Sequence, residues 1–346
     1  MLTIVREYPM LSIEQIKMAC ARSEPVVLGD PMHARAEFPL RETFYPLGFA
    51  VDIETNSEEV LAAAAASWHG FVRLFDTRPI RLRIGVFGSN YSECPPTPTC
   101  KMQKHLASNI ADGENFSISD LVQGFSYIWL SPAAITHRSY FHYFFLESTT
   151  LCHLVSSFTT PIHAACVELE GSGILLCGDS GAGKSTLAYA CARAGWTYVS
   201  DDASFLVNDR KDRLVVGNCN QARFRPSAAA LFSELNGRKV NQRAEVGKPS
   251  IELSIATLRN IDISHTSHVN YVVFLNRHNP SRQELVPFPT QVAKYSMLQR
   301  MSPLPATLKV QTAMIDTLLD RGALELHYSD LRWAVERLAK LAEEGR

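Results

Sequence analysis

The sequence predicts an α/β protein in two parts: a small, separate N-terminal α/β domain over residues 1–135 and a phosphate-loop core over residues 136–346. Three observations carry this prediction. Gly178-Asp179-Ser180-Gly181-Ala182-Gly183-Lys184-Ser185 fits the pattern G-x-x-x-x-G-K-[ST] and lies between a buried-strand pattern and a helical one. The apolar run Trp196-Thr197-Tyr198-Val199 follows and leads into the adjacent carboxylates Asp201-Asp202. Upstream of Ser131-Pro132, strand-like stretches surround one helical stretch, and no phosphate-loop feature occurs there.

The N-terminal elements follow from local patterning. Thr43 to Ile53 (TFYPLGFAVDI) alternates enough to read as one strand. Asn56-Ser57 then caps a helix, Glu58 to Trp68, whose glutamates lie in the first turn, where the helix dipole favours them. Ile80 to Phe87 (IRLRIGVF) alternates apolar and basic residues, as a strand with one solvated face does. The stretch Gly88 to Thr99 carries three prolines and reads as a loop. Cys94 within it and Cys100 just after it lack a second ligand pair at zinc spacing, so a Pro-rich surface loop is expected. Further strands are expected near 115–119 and 126–130, then a linker at Ser131-Pro132.

An apolar helix, residues 138–157, opens the second part. His163 to Glu168 and Gly171 to Cys177 form a hairpin feeding the glycine loop, and from Ser185 onward Leu187, Ala190 and Cys191 recur at helical spacing. A strand turning through glycines into a helix aims successive N–H groups and the positive helix end into one concavity, which suits the β- and γ-phosphates of a nucleotide. Lys184 belongs beside those phosphates and the Ser185 hydroxyl on Mg²⁺. The nucleotide-binding candidates are therefore Gly178, Asp179, Ser180, Gly181, Ala182, Gly183, Lys184, Ser185 and Thr186.

Asp201 and Asp202 stand at the loop's mouth, where two adjacent carboxylates repel unless a cation sits between them. A hairpin follows, Ala203 to Val207 and Leu214 to Val216, and then Arg223 and Arg225 in ARFRP. Guanidinium groups there could clamp a triphosphate or an acceptor's anionic groups. Lys248 in VGKPSIEL is a further candidate. His268 to Arg277 reads as a buried strand and Leu285 to Pro287 as a shorter one. Helices are expected over 290–301, 306–320 and 330–344, the last capped by Ser329. They suit structural packing or a subunit interface, which leaves a homo-oligomer open.

The segment TTPIHAACVELEGSGILLCGDSGAGKSTLAYACARAGWTYVSDDASFLV resembles the catalytic core of HPr kinase/phosphorylase, a bacterial protein-serine kinase whose fold is shared with ATP-dependent phosphoenolpyruvate carboxykinase. The match needs no gap from His163 through Asp202 and covers about residues 159–208. The resemblance implies ATP and Mg²⁺, with Lys184 holding the transferred phosphoryl group and Ser185 and Asp202 at the metal. It implies Asp201 as the base that takes the acceptor's proton, and His163 beside the acceptor and the γ-phosphate. Ala164 stands where the family has a glycine after its histidine, and Thr186 where an acidic residue is common.

The family's glycine-rich second signature is replaced by NCNQARFRPSAAALFSEL, which weakens the case for the phosphate-driven reverse reaction. The N-terminal region is unlike that of the HPr enzyme, which weakens the case for HPr as acceptor. The resemblance thus implies a divergent stand-alone kinase, similar to peptide-precursor serine kinases. It would transfer the γ-phosphoryl group of ATP in line to a hydroxyl, foremost a serine of a peptide or protein. A small-molecule hydroxyl kinase, a true HPr kinase and a non-catalytic nucleotide-binding regulator stand as alternatives.

Composition excludes other classes. Lys and Arg total 34 against 35 Asp and Glu, so net charge gives no sign of a nucleic-acid or anionic-membrane partner. The chain has no basic-then-apolar leader and no apolar run of about 18 residues, so a soluble, cytoplasmic protein is expected. Eight scattered cysteines, with Cys152, Cys166, Cys177 and Cys191 in apolar stretches, read as reduced core thiols.

Overall fold

Ser172–Cys177 is a wholly buried strand, and its two faces set the layering around it. Ile174 and Leu176 pack with Leu187 and Cys191 of the helix Lys184–Arg193 and with Leu338 and Leu341 of the helix Leu331–Glu344. Leu175 and Cys177 point the other way, onto Met297 of the helix Thr290–Leu298 and Ile315 and Leu318 of the helix Pro305–Leu318. Side chains alternate across a strand, so a continuous apolar run is stable where helices cover both faces.

The structure is a computed structural model and describes residues 12–23, 36–88, 92–241, 249–258, 260–277 and 282–344. Its architecture is mixed α/β. The first sheet comprises β1 (Leu40–Phe44), β2 (Val51–Thr55), β3 (Ile80–Val86), β4 (Thr99–Gln103), β5 (Leu106–Ile110), β6 (Phe116–Asp120) and β7 (Phe125–Leu130), in the order β1-β2-β3-β7-β6-β5-β4. Its middle strands β2, β3 and β7 run parallel, and the helix Glu58–Trp68 makes the crossover between the first two.

The second sheet contains β8 (Thr159–Ile162), β9 (Ala164–Leu169), β10 (Ser172–Cys177), β11 (Thr197–Ser200), β12 (Ser204–Val207) and β13 (Leu214–Gly217). A small sheet of β14 (Gln221–Phe224), β15 (Val240–Asn241) and β16 (Ser250–Ser254) follows. Then β17 (Thr266–Asn276), β18 (Glu284–Phe288) and β19 (Ala323–His327) complete the second sheet. Hairpin β9–β10 turns through Glu170 and Gly171, both at positive φ (50° and 83°), as a tight two-residue hairpin requires. β17 lies parallel to β10 and carries its C-terminal end to the same edge as the glycine loop.

A third cluster ties the first sheet to the second. Val51, Ile53, Leu82 and Ile84 share it with Phe141, Phe145 and Leu154 of the long helical stretch and with Phe205 and Val216 of β12 and β13. The stretch 138–157 is helical throughout but passes through a π-helical section, His142–Glu147.

Several local expectations need correction. The strand expected over 43–53 is two strands, β1 and β2, because Pro46, Leu47 (φ 53°) and Gly48 (φ 86°) turn the chain between them. The helix at Glu58 begins after Ser57 without a capping bond; the Ser57 hydroxyl donates to Glu59 at 2.6 Å instead. Ser131 marks no free linker, since its side chain caps the helix Pro132–Thr136. Asp330, rather than Ser329, caps the last helix by accepting from the Trp333 N–H at 2.7 Å. Strands β4, β5 and β19 were not foreseen: TCKMQ is fully exposed and carries no apolar face to read. Cys94 and Cys100 are exposed and are not joined in a disulfide. Among the described residues no helix is long and apolar enough to cross a membrane.

Candidate functional site

The glycine loop occupies the turn between β10 and the helix Lys184–Arg193. Gly178, Gly181 and Gly183 hold φ of 140°, 97° and 100°, conformations that side chains disfavour. At Gly183 packing adds a second constraint: a Cβ there would meet the Tyr328 hydroxyl at 2.8 Å. That hydroxyl donates to the Ala182 carbonyl at 3.3 Å and braces the loop from beneath. Gly183 is the N-cap and offers no side-chain capping bond, so the first-turn N–H groups of Lys184, Ser185 and Thr186 have no cap partner of the usual kind.

Lys184 is buried at 6 % exposure, and its ammonium donates to the carbonyls of Gly178 (2.9 Å) and Asp179 (3.2 Å). Burial pulls its pKa down, and the Asp202 carboxylate pulls it back. Ser185 Oγ donates to the backbone carbonyl of Asp201 at 3.4 Å, which ties the start of the helix to the carboxylate pair.

The two carboxylates have different surroundings. Asp201 accepts the Arg223 N–H at 2.6 Å, and burial pushes its carboxyl up to about 7, with that N–H opposing and the Asp202 charge adding. Asp202 is exposed, and its Oδ1 lies 3.4 Å from His163 Nδ1, between β8 and β9. His163 is held below its ordinary pKa by burial and by the Lys184 charge, with Asp202 opposing. The imidazole is therefore neutral near pH 7.

The structure separates the two arginines. Arg223 turns its guanidinium to Glu252 Oε1 at 2.7 Å, and its backbone serves Asp201. Arg225 reaches the loop, with a nitrogen 3.4 Å from the Ser180 hydroxyl. Lys248 lies outside the described residues. Sequence reasoning missed Tyr328, Arg277, whose guanidinium lies 5.4 Å over the Tyr328 ring, and Arg300, whose charge acts on both His163 and Lys184. Arg277 directly follows β17, the parallel neighbour of the loop's own strand, and that placement is the one signal that could have found it. Among the described residues no group of three or more His, Cys, Asp or Glu side chains could hold a metal.

Beyond the carboxylates lies a cavity of about 390 Å³. Asp201 and Asp202 line it together with Ser67 and Trp68 from the end of the first part's helix, Phe71 just after it and Leu151 from the long helical stretch. The carboxylate pair thus stands between the glycine loop on one side and this cavity on the other.

Comparison with known proteins bears on this site. Residues 156–225 match the family model described as the HPr Serine kinase C-terminal domain, a span that includes the loop, both carboxylates, His163 and both arginines. The chain is 32% identical over 77 residues to an HPr kinase/phosphorylase of Halalkalibacterium halodurans. That match takes in 20% of this chain and spans about a quarter (25%) of that relative. The structure of the HPr(Ser) kinase/phosphatase from Coxiella burnetii aligns at 13% identity and a TM-score of 0.30, over 53% of this chain and 98% of that one.

Proposed function

We propose that this chain, HPr kinase-like through its central segment, is an ATP-dependent phosphotransferase that moves the γ-phosphoryl group to a hydroxyl, foremost a serine of a peptide or protein. One observation carries the reading. A carboxylate with its pKa raised to about 7 stands between a glycine loop built for phosphates and a cavity open to an acceptor.

The residues fit a nucleotide and its metal. Three positive-φ glycines, the uncapped first turn of the helix and the buried Lys184 ammonium converge on one loop, as an anion cradle requires. Mg²⁺ is commonly held by one or two carboxylates together with substrate phosphates, and the Asp202 carboxylate and the Ser185 hydroxyl stand beside the loop. Ser185 and Asp202 would hold it there. MgATP, when bound, supplies a transferable phosphoryl group whose charge is partly offset by the ion.

The chain's own residues then do the positioning. Lys184 and the loop N–H groups fix the phosphates, and Arg225 stands near enough to Ser180 to add positive charge. Asp201 accepts the proton of the acceptor hydroxyl; a pKa near the working pH suits a group that must be free to take a proton yet basic enough to hold it. The Arg223 N–H keeps that carboxylate in place. His163 sets the direction of Asp202. Transfer measured against MgATP concentration tests the reading: it requires saturable MgATP dependence in the wild type and its loss in Lys184→Ala. An unchanged melting curve at millimolar MgATP would sink it.

A further inference from the structure

The carboxyl ends of the parallel strands β10, β17 and β19 meet at one edge of the second sheet, where the glycine loop also opens. Arg277 directly follows β17 at that edge and is exposed. Leu275, two residues earlier, packs in the cluster that holds Leu187, so alternation turns Arg277 toward the face that carries the helix Lys184–Arg193. The guanidinium lies over the ring of Tyr328, 5.4 Å from its centre, and that ring is buried at 2 % exposure. One guanidinium nitrogen stands 3.5 Å from the place a Cβ on Gly183 would take, beside the N-cap of the helix.

This is an unfavourable place for an unneutralised cation. The first turn is the positive end of a helix, and a second positive charge beside it is repelled. Carboxylates on the neighbouring strands do not relieve it: Glu284 pairs with Arg282, and Glu325 with Asn276 and His327. Among the described residues no carboxylate pairs with Arg277. The Tyr328 ring holds the guanidinium in place but does not cancel its charge. Nor does Lys184 occupy this end of the loop, since its ammonium turns back to the carbonyls of Gly178 and Asp179 at the loop's start.

We infer that Arg277 is a donor-binding residue whose guanidinium contacts the phosphate held by the first-turn N–H groups beside Gly183. Lys184 serves the other end of the phosphate chain, where the transferred group lies. The inference rests on the kinase reading above and adds a ligand that the nucleotide-loop pattern does not contain. The phosphate beside Gly183 is one that ADP shares with ATP, so Arg277 holds the donor and its spent product alike.

The test measures dissociation constants for MgATP and MgADP by titration calorimetry at several salt concentrations, with thermal melts of the nucleotide-free protein. Arg277→Gln should weaken both nucleotides about ten- to a hundredfold and flatten the dependence of affinity on salt. Its nucleotide-free Tm should equal or exceed the wild-type value, because the repelled charge at the helix end is gone. Arg277→Lys keeps the charge and gives up the flat face on Tyr328, so it should recover part of the affinity and the wild-type salt dependence. Unchanged affinity in Arg277→Gln, a loss for MgATP alone, an unchanged salt dependence, or a lowered nucleotide-free Tm would each overturn the inference and leave the kinase reading in place. Failure of MgATP to bind the wild type would instead remove that reading, and the inference with it.

Discussion

Asp201→Asn should make the protein more stable and less active at once. Burial raises the Asp201 pKa from 3.8 to about 7, so the folded state favours the protonated carboxyl. Stability linked to this group is fully present below 3.8 and is lost as pH rises through about 7. Taken whole, the shift corresponds to roughly 4 kcal/mol at about 1.4 kcal/mol per unit. Water reaches one side of this half-buried residue, and screening leaves about 1–2 kcal/mol. The asparagine keeps an oxygen for the Arg223 N–H and never ionises. Its advantage in Tm should therefore grow between about pH 5 and pH 8.5, by about 1–2 °C. Transfer should fall by about 10²–10⁴ over the same range, with MgATP affinity within a few-fold of wild type. Thermal melts at both pH values and a transfer assay on the same samples read all three quantities. An equal Tm difference at both pH values would refute the buried-carboxylate argument, and wild-type transfer would remove Asp201 from the mechanism.

Other consequences can be read from the same geometry. Wild-type transfer should rise with pH through about 7 as Asp201 loses its proton; a rate flat from pH 5.5 to pH 8.5 would contradict this. MgATP at about 100 times its dissociation constant should add about 2.7 kcal/mol of stability, and Lys184→Ala should abolish most of it, checked by thermal melts with and without nucleotide. Asp202→Asn should raise the Mg²⁺ concentration needed for half-maximal transfer, and His163→Ala should slow transfer without preventing nucleotide binding, both read from metal and nucleotide titrations. Gly183→Ala should cost nucleotide affinity, since it strains a φ of 100° and strikes the Tyr328 hydroxyl; combining it with Tyr328→Phe should recover only the part due to the clash. A phosphorylated product incubated with enzyme and inorganic phosphate should survive, and pyrophosphate release would show that residues 209–235 had been misjudged.

The parts of the fold that were legible in the sequence share one property, a strong local pattern. The β9–β10 hairpin, the glycine loop and the helix after it each carry their own periodicity or turn chemistry, and they lie within two residues of the expected bounds. The exposed strand Thr99–Gln103 and the short strand Ala323–His327 have no such pattern, and partners distant in sequence determine them. The split of residues 43–53 was hidden because apolar residues in a buried turn look like the strands around them. At the site, residue types and spacing pointed to Lys184, Asp201 and Asp202, the family resemblance added His163, and the structure brings all four to one edge of the sheet. What spacing could not show was the different environment of the two carboxylates. Nor could it show that the backbone of Arg223, rather than its guanidinium, meets Asp201, or that Tyr328 comes back under the loop from near the far end of the chain.

The apolar cluster shared by the first sheet, the long helical stretch and the β12–β13 hairpin has a consequence for how this protein comes apart. Phe205 and Val216 sit at the rear of the hairpin that begins just after Asp202, and they rest against the same side chains that fill the first sheet. Neither layer can lose its partner without exposing a continuous greasy face, so both should disassemble as one cooperative unit. Removing the first 135 residues would then leave a remnant with an exposed apolar face. The same constraint acts on sequence change: substitutions in the first sheet must be matched in the hairpin that follows Asp201 and Asp202.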